Sequence, residues 1–142
     1  MASWKDHKED FVLLLEAGFI AVNQADEDAA LKLFKAAELL NPESSLPKVG
    51  VGYLHLHKLE LKEACKVFEH VLAKEPNNEM AKAFLGVCMS LGPTTMTKGE
   101  QILEQTHHSK DPMIRKLSET AIDFVENFVK KPPTPVQGRH PQ

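Results

Sequence analysis

GFIAVNQADEDAALKLFKAAELLNP, residues Gly18–Pro42, is answered by GYLHLHKLELKEACKVFEHVLAKEP, residues Gly52–Pro76. Gly18, Ala30, Phe34 and Pro42 return as Gly52, Ala64, Phe68 and Pro76, each 34 positions later, and Gly86 follows Gly52 at the same interval. A fixed spacing in the range of roughly 20–50 residues marks a repeat architecture, in which one supersecondary unit stacks on the next. Each residue type has a mechanical reason to be there. Gly18 and Ala30 sit where two helices of a hairpin cross, because a side chain no larger than a methyl lets the backbones approach. Phe34 and Phe68 lie one helical turn beyond the small Ala on the same face, so each can plug the seam towards the next hairpin. Pro42 and Pro76 cannot continue a helix and mark the turn into the following unit.

Working outward, Ser3 and Asp6 form a capping box ahead of an apolar series, which predicts a first helix from near Trp4 to about Asn23. Asp26 caps a second helix to about Leu40, with Ala29, Ala30, Leu33, Phe34, Ala37 and Leu40 at three- and four-residue spacing. Ser44 or Ser45 caps a third, to about His57, and a fourth carries Leu61, Ala64, Cys65, Phe68, Val71 and Leu72. After the break Glu75-Pro76-Asn77-Asn78 a fifth helix spans about Glu79 to Leu91. The repeat then decays: Lys98 stands 34 beyond Ala64 and Lys110 stands 34 beyond Pro76, while Gly92-Pro93-Thr94-Thr95 lengthens the turn. Ile102 keeps the register of Phe34 and Phe68, so a shortened sixth helix from about Met96 to His107 is predicted. Asp111-Pro112 opens a seventh, with Asp at the cap and Pro at the first helical position. Its broad apolar face (Ile114, Leu117, Ala121, Ile122, Phe124, Val125, Phe128) suits a helix that covers the last exposed face of a stack. The expected organisation is one all-α domain over residues 1–130, with repeats at about 11–44 and 45–78, a degenerate one at 79–111 and a capping helix at 112–130. Residues 131–142, rich in Pro, read as an extended disordered tail.

A net charge of −3 lacks the basic surplus by which nucleic-acid binders announce themselves. No apolar run approaches the roughly 20 residues that span a bilayer, and Met1–Asp6 lacks the pattern of a secretory leader, so a cytosolic protein is expected. Cys65 and Cys88 fall within helical apolar patterns and read as buried thiols rather than a disulfide. Cys88 has no cationic neighbours to lower its pKa. His55 and His57, two apart, point to different sides of a helix and make a poor metal pair. His107-His108 sit at a helix end, where histidines complement the dipole, with no third or fourth ligand at metal spacing. There is no Gly-rich phosphate loop, no Gly-x-Ser-x-Gly and no carboxylate pair that periodicity leaves unexplained. Neither catalysis nor a cofactor nor a metal is expected.

The Gly, Ala-x-x-x-Phe and Pro positions at a period of 34 resemble those of tetratricopeptide (TPR) repeats, over about residues 11–110. The resemblance implies a right-handed α-solenoid of about three hairpins plus the capping helix. In such stacks the first helices line a concave groove. With Gly at the eighth place of each repeat, the groove places are Val12, Leu15, Phe19 and Val22, then Leu46, Val49, Tyr53 and Leu56, then Met80, Ala83, Val87 and Leu91, beside Asn23, His57 and Ser90. That face is apolar, which suits capture of an amphipathic or extended apolar segment of another chain. TPR modules that hold acidic chaperone tails carry Lys and Asn where Leu15, Phe19, Val49 and Tyr53 stand, so that clamp is missing.

A small three-repeat protein with an apolar groove is most similar to the TPR chaperones of bacterial type III secretion. Translocator chaperones carry a dimerising arm before the first repeat, and ten residues precede it here. Needle-subunit chaperones are the nearer resemblance. They hold the amphipathic C-terminal helix of the needle protein in the groove, alongside a small helical co-chaperone. The resemblance implies a non-enzymatic chaperone that keeps a polymerising subunit unassembled. The alternative is a TPR scaffold or regulator of a multiprotein assembly, the translocator type included.

Overall fold

The described residues, 7–130, of the computed structural model form seven α-helices and no strand. They are α1 (Lys8–Asn23), α2 (Glu27–Leu40), α3 (Leu46–His57), α4 (Leu61–Lys74), α5 (Glu79–Ser90), α6 (Met96–His107) and α7 (Pro112–Phe124). A π-helical turn, Val125–Val129, continues α7. The expected start near Trp4 with its Ser3 and Asp6 capping box, and the tail 131–142, lie outside the described residues.

The helix starts follow from local chemistry. Asp26 Oδ1 accepts from the Ala29 amide at 3.1 Å and Asp111 Oδ1 from the Met113 amide at 2.9 Å. Asn78 Oδ1 does the same for Ala81 at 3.0 Å. Each bond satisfies an amide that the helix leaves without an internal partner. Consecutive helices pack on one another throughout, and the odd-numbered helices also touch in series, α1 on α3, α3 on α5 and α5 on α7. The architecture is therefore helix on helix, with α7 laid against α5 and α6.

One contact recurs at the seams. A Cβ built on Gly18 would stand 2.5 Å from Phe34 Cε1, and one built on Gly50 would collide with the same ring. Phe34, 1% exposed, thus fills a notch in its own hairpin partner and a second notch in the first helix of the next hairpin. Phe68 fills the notch at Gly52, where a Cβ would stand 2.6 Å away. At its next seam the residue 34 after Gly50 is Phe84, and the two rings stack at 5.5 Å instead.

The third hairpin keeps this mechanism in a shifted register, and the expectation for Ile102 is corrected. The fully buried plug is Leu103, whose Cγ stands 3.0 Å from the place a Cβ would take on Gly86, while Ile102 is half-buried beside it. The small partner is Gly99, where a Cβ would drive into the Ser90 amide nitrogen and the adjoining backbone of α5. Gly99 and Leu103 lie 35, not 34, beyond Ala64 and Phe68.

The cause is the turn inside the hairpin. Ala25 (φ 60°) and Leu59 (φ 58°) are the residues other than Gly with positive φ among those described, and they occupy equivalent places 34 apart. The next such place is Pro93, whose ring holds φ near −65° and forbids this left-handed step. The third turn is rebuilt as the longer Leu91–Thr95 segment, closed by Thr95 Oγ1 donating to the Met89 carbonyl at 2.7 Å. The added residue shifts everything after it by one.

Two stability outcomes follow. Alanine at Gly99 meets backbone that cannot rotate away, so overpacking of about 1–3 kcal/mol outweighs the roughly 1 kcal/mol of helix propensity gained over glycine; urea unfolding of Gly99→Ala is expected to show net destabilisation. Leu59→Gly relieves a left-handed conformation that costs other residues roughly 1–2 kcal/mol, at an exposed site where Leu packs little. The midpoint of its urea transition is expected to rise, and a fall would contradict the assigned turn.

Candidate functional site

The side shared by α1, α3 and α5 carries a continuous line of rings. Phe19 of α1 lies 5.4 Å from Tyr53 of α3, and Tyr53 lies 5.5 Å from Phe84 of α5, centroid to centroid. At one end Phe19 meets the plug Phe34 edge-on at 5.2 Å, and at the other Phe84 stacks on Phe68. The two structural plugs are thereby joined across the face by three half-buried rings. Such pairs contribute about 0.5–1.5 kcal/mol each beyond the area they bury, so the line is both stiff and apolar. Its polar margin is defined. The Tyr53 hydroxyl donates to Asn23 Oδ1 at 2.7 Å, and the His57 ring leans edge-on against Tyr53 at 4.6 Å. Partial burial raises the Tyr53 pKa, which keeps the phenol neutral at physiological pH.

The twelve residues expected on the groove divide. Val12 (45% exposed) and Leu46 (36%) reach solvent. Phe19, Tyr53, Leu56, Met80, Val87 and Leu91 are half-buried and line the face. Leu15, Val22, Val49 and Ala83 are at most 8% exposed, so they are core and unavailable to a partner. The reason is geometric: with α1 against α3 and α3 against α5, part of the helical face that a fixed count assigns to the groove is consumed where neighbouring first helices touch.

Position counting missed two contributors. Phe84 stands in the register of Glu16 and Gly50, 34 apart each time, and reaches the face because it leans on Tyr53 and Phe68. Its being the one aromatic residue in α5 was the available signal. The second contributor is α7. With Val87 and Leu91 it encloses an apolar cavity of about 250 Å³ whose far wall is Leu117, Ala121, Phe124 and Val125. Phe124 (48% exposed) stacks on Phe128 (71% exposed) at 5.3 Å and extends the apolar surface past α5. Since α7 packs on α5 and α6, it prolongs this face.

Several other chemistry-bearing groups have structural partners. His55 Nδ1 lies 2.8 Å from Glu60 Oε1, while Lys58 Nζ bonds Glu27 Oε1 at 2.8 Å and lies 3.5 Å from Glu60 Oε2, tying the first two hairpin turns together. The His55 hydrogen bond, more than the Lys58 charge, holds the Glu60 carboxyl below its ordinary range. His55 and His57 therefore diverge, one to Glu60 and one to Tyr53. Cys65 and Cys88 are free thiols in contact on one wall of a cavity of about 480 Å³ that also includes Leu61, Met89 and Thr95. Burial pushes Cys88 up to about 12 and raises Cys65 as well. A cavity of about 620 Å³ lies elsewhere, between α2 and α3 beneath Leu31, Leu39, Pro47 and Val51. No helix among the described residues is long and apolar enough to cross a membrane.

No family model, curated protein or solved structure matches the chain.

The thiolate is the form that alkylating reagents attack, and a raised pKa depletes it at neutral pH. Iodoacetamide at pH 8 is expected to leave Cys88 unlabelled in the folded chain and to modify it fully in urea, as read by mass spectrometry. Rapid native labelling of Cys88 would show that α5 opens readily.

Proposed function

We propose that this chain is a non-enzymatic cytoplasmic chaperone of the TPR type, and that it keeps a small polymerising or secreted subunit unassembled by holding that subunit's amphipathic helix along the face of α1, α3 and α5. The observation that carries this reading is the half-buried line Phe19–Tyr53–Phe84, prolonged by Val87, Leu91 and Phe124. A helix laid in such a face gains by burying apolar anchors at three- and four-residue spacing. Each large side chain fully buried is worth roughly 1.5–3 kcal/mol before ordering costs are subtracted, so a handful of anchors is enough for stable capture.

The TPR assignment rests on the period of 34, the paired notches at Gly18 and Gly50 around one Phe, and the left-handed turn residues at equivalent places. The resemblance to needle-subunit chaperones of type III secretion supplies the class of client, a subunit whose C-terminal helix drives its polymerisation. A small helical co-chaperone is part of that reading.

A scaffold that bridges two partners is the second reading, and one observation favours it. The apolar cavity between α2 and α3 uses Val51, which lies about 200° around the helix from Tyr53 given 100° per residue, and so opens on the other side of α3. The readings separate by substitution. Phe19→Glu and Tyr53→Glu are expected to abolish co-purification with the client and leave helical circular dichroism unchanged, while Leu31→Glu and Leu39→Glu leave capture intact. Loss of a second, larger partner in the Leu31 and Leu39 variants would favour the scaffold. Client capture that survives both aromatic substitutions would sink the groove assignment.

A further inference from the structure

We propose that Glu104, His107 and His108 at the end of α6, with Glu119 of α7, form a binding site for one divalent transition-metal ion of the zinc class. From sequence, the two histidines read as partners of the helix dipole because further ligands were not evident. The fold supplies them. One ligand atom from each of Glu104, His107 and His108 lies within 4.8 Å of the others. Donors around a tetrahedral zinc at bond lengths of about 2.0–2.1 Å stand roughly 3.3 Å apart, a closure that Glu104 and His108, both exposed, reach by rotamer adjustment.

The convergence has a backbone cause. Glu104 and His107 are three apart, and Glu104 and His108 four apart, so both histidines lie one turn from the carboxylate on the same side of α6. His108 is the C-cap residue (φ −94°, ψ 10°), where the chain leaves the helix, and its ring comes to 5.3 Å from that of His107. On the facing helix, Glu119 Oε1 stands 3.1 Å from His107 Nε2. A carboxylate there, beside the converging trio, is the group that orients a metal-bound imidazole through its second ring nitrogen, and in that role it joins α7 to the site.

The two helices are already registered at this point. Thr106 Oγ1 and Ser118 Oγ, the immediate neighbours of His107 and Glu119, share a buried hydrogen bond of 2.7 Å. A site whose ligands sit on elements locked together loses little in ordering them. The donor set selects the ion. Two imidazoles favour zinc, nickel or copper over calcium and magnesium, which take oxygen, and two carboxylates balance a charge of two. The site lies outside the aromatic face, so it stands or falls independently of the chaperone reading.

Isothermal titration of the untagged, metal-stripped full chain with zinc chloride is expected to give saturable binding of one ion per chain, with no corresponding heat from magnesium chloride. His107→Gln and His108→Gln should each remove it, and Glu119→Gln should weaken it by roughly 10-fold to 100-fold, as loss of an orienting carboxylate does. His55→Gln with His57→Gln should bind as the parent does. Zinc should raise the melting temperature of the parent and, since α7 is then unclipped, raise it less in Glu119→Gln. Should His107→Gln disturb the half-buried junction, the exposed Glu104→Gln gives the same test. Zinc binding that persists in the His107 and His108 variants, or no saturable binding at all, overturns the proposal.

Discussion

The fold depends on the fit of one phenyl ring into two notches. Phe34 is held by Gly18 in its own hairpin and by Gly50 in the next, and neither position has room for a Cβ. The ring therefore does two jobs at once: it closes a hairpin and it sets how far the following hairpin stands from it. Removing a buried Phe from such a place costs about 3–5 kcal/mol, a large share of what holds a domain of this size together. Phe68 with Gly52 and Leu103 with Gly86 and Gly99 repeat the closure of a hairpin with different residues. The chain is thus a series of one mechanical solution, in which identity of residues matters less than the alternation of absent and bulky side chains.

That alternation was legible wherever the period held. Glycine, alanine, phenylalanine and proline at fixed intervals placed the hairpins, and capping residues such as Asp26 and Asp111 placed helix starts within a residue. What escaped was backbone conformation. Nothing in the side chains of Ala25 or Leu59 announces a left-handed residue, since both usually avoid one, and so the conflict at Pro93 could not be anticipated. The third repeat looked degenerate because Lys98 stands 34 beyond Ala64 and Lys110 stands 34 beyond Pro76, while Ile102 read as the match to Phe68. Shifted by the residue the longer turn adds, Gly99 and Leu103 restore the match.

The candidate site was legible only in part, for a related reason. Counting along a helix gives the direction of a side chain but not what neighbouring helices take up. Leu15, Val22, Val49 and Ala83 have the right direction and are consumed by packing, whereas Phe84 has the wrong register and arrives by leaning on other rings. The contribution of α7 depends on where a helix more than 20 positions further on comes to rest, which no local pattern encodes. The same holds for Glu119 beside His107: two residues brought together by tertiary structure look unrelated in a linear chain.

The position of α3 has a consequence for how the molecule yields. Leu54 belongs to the core built with α1 and α2, and Val49, one and a half turns earlier on the same helix, belongs to the core built with α4 and α5. One helix is therefore the party wall of two hydrophobic compartments, and neither compartment keeps its side intact if that wall comes loose. Fraying that begins at α7 touches neither compartment and loss of α1 opens the first alone, but a fluctuation that frees α3 opens both together. Amides of α3 are accordingly the place where local opening merges into global unfolding, and the slowest hydrogen exchange in the chain belongs there.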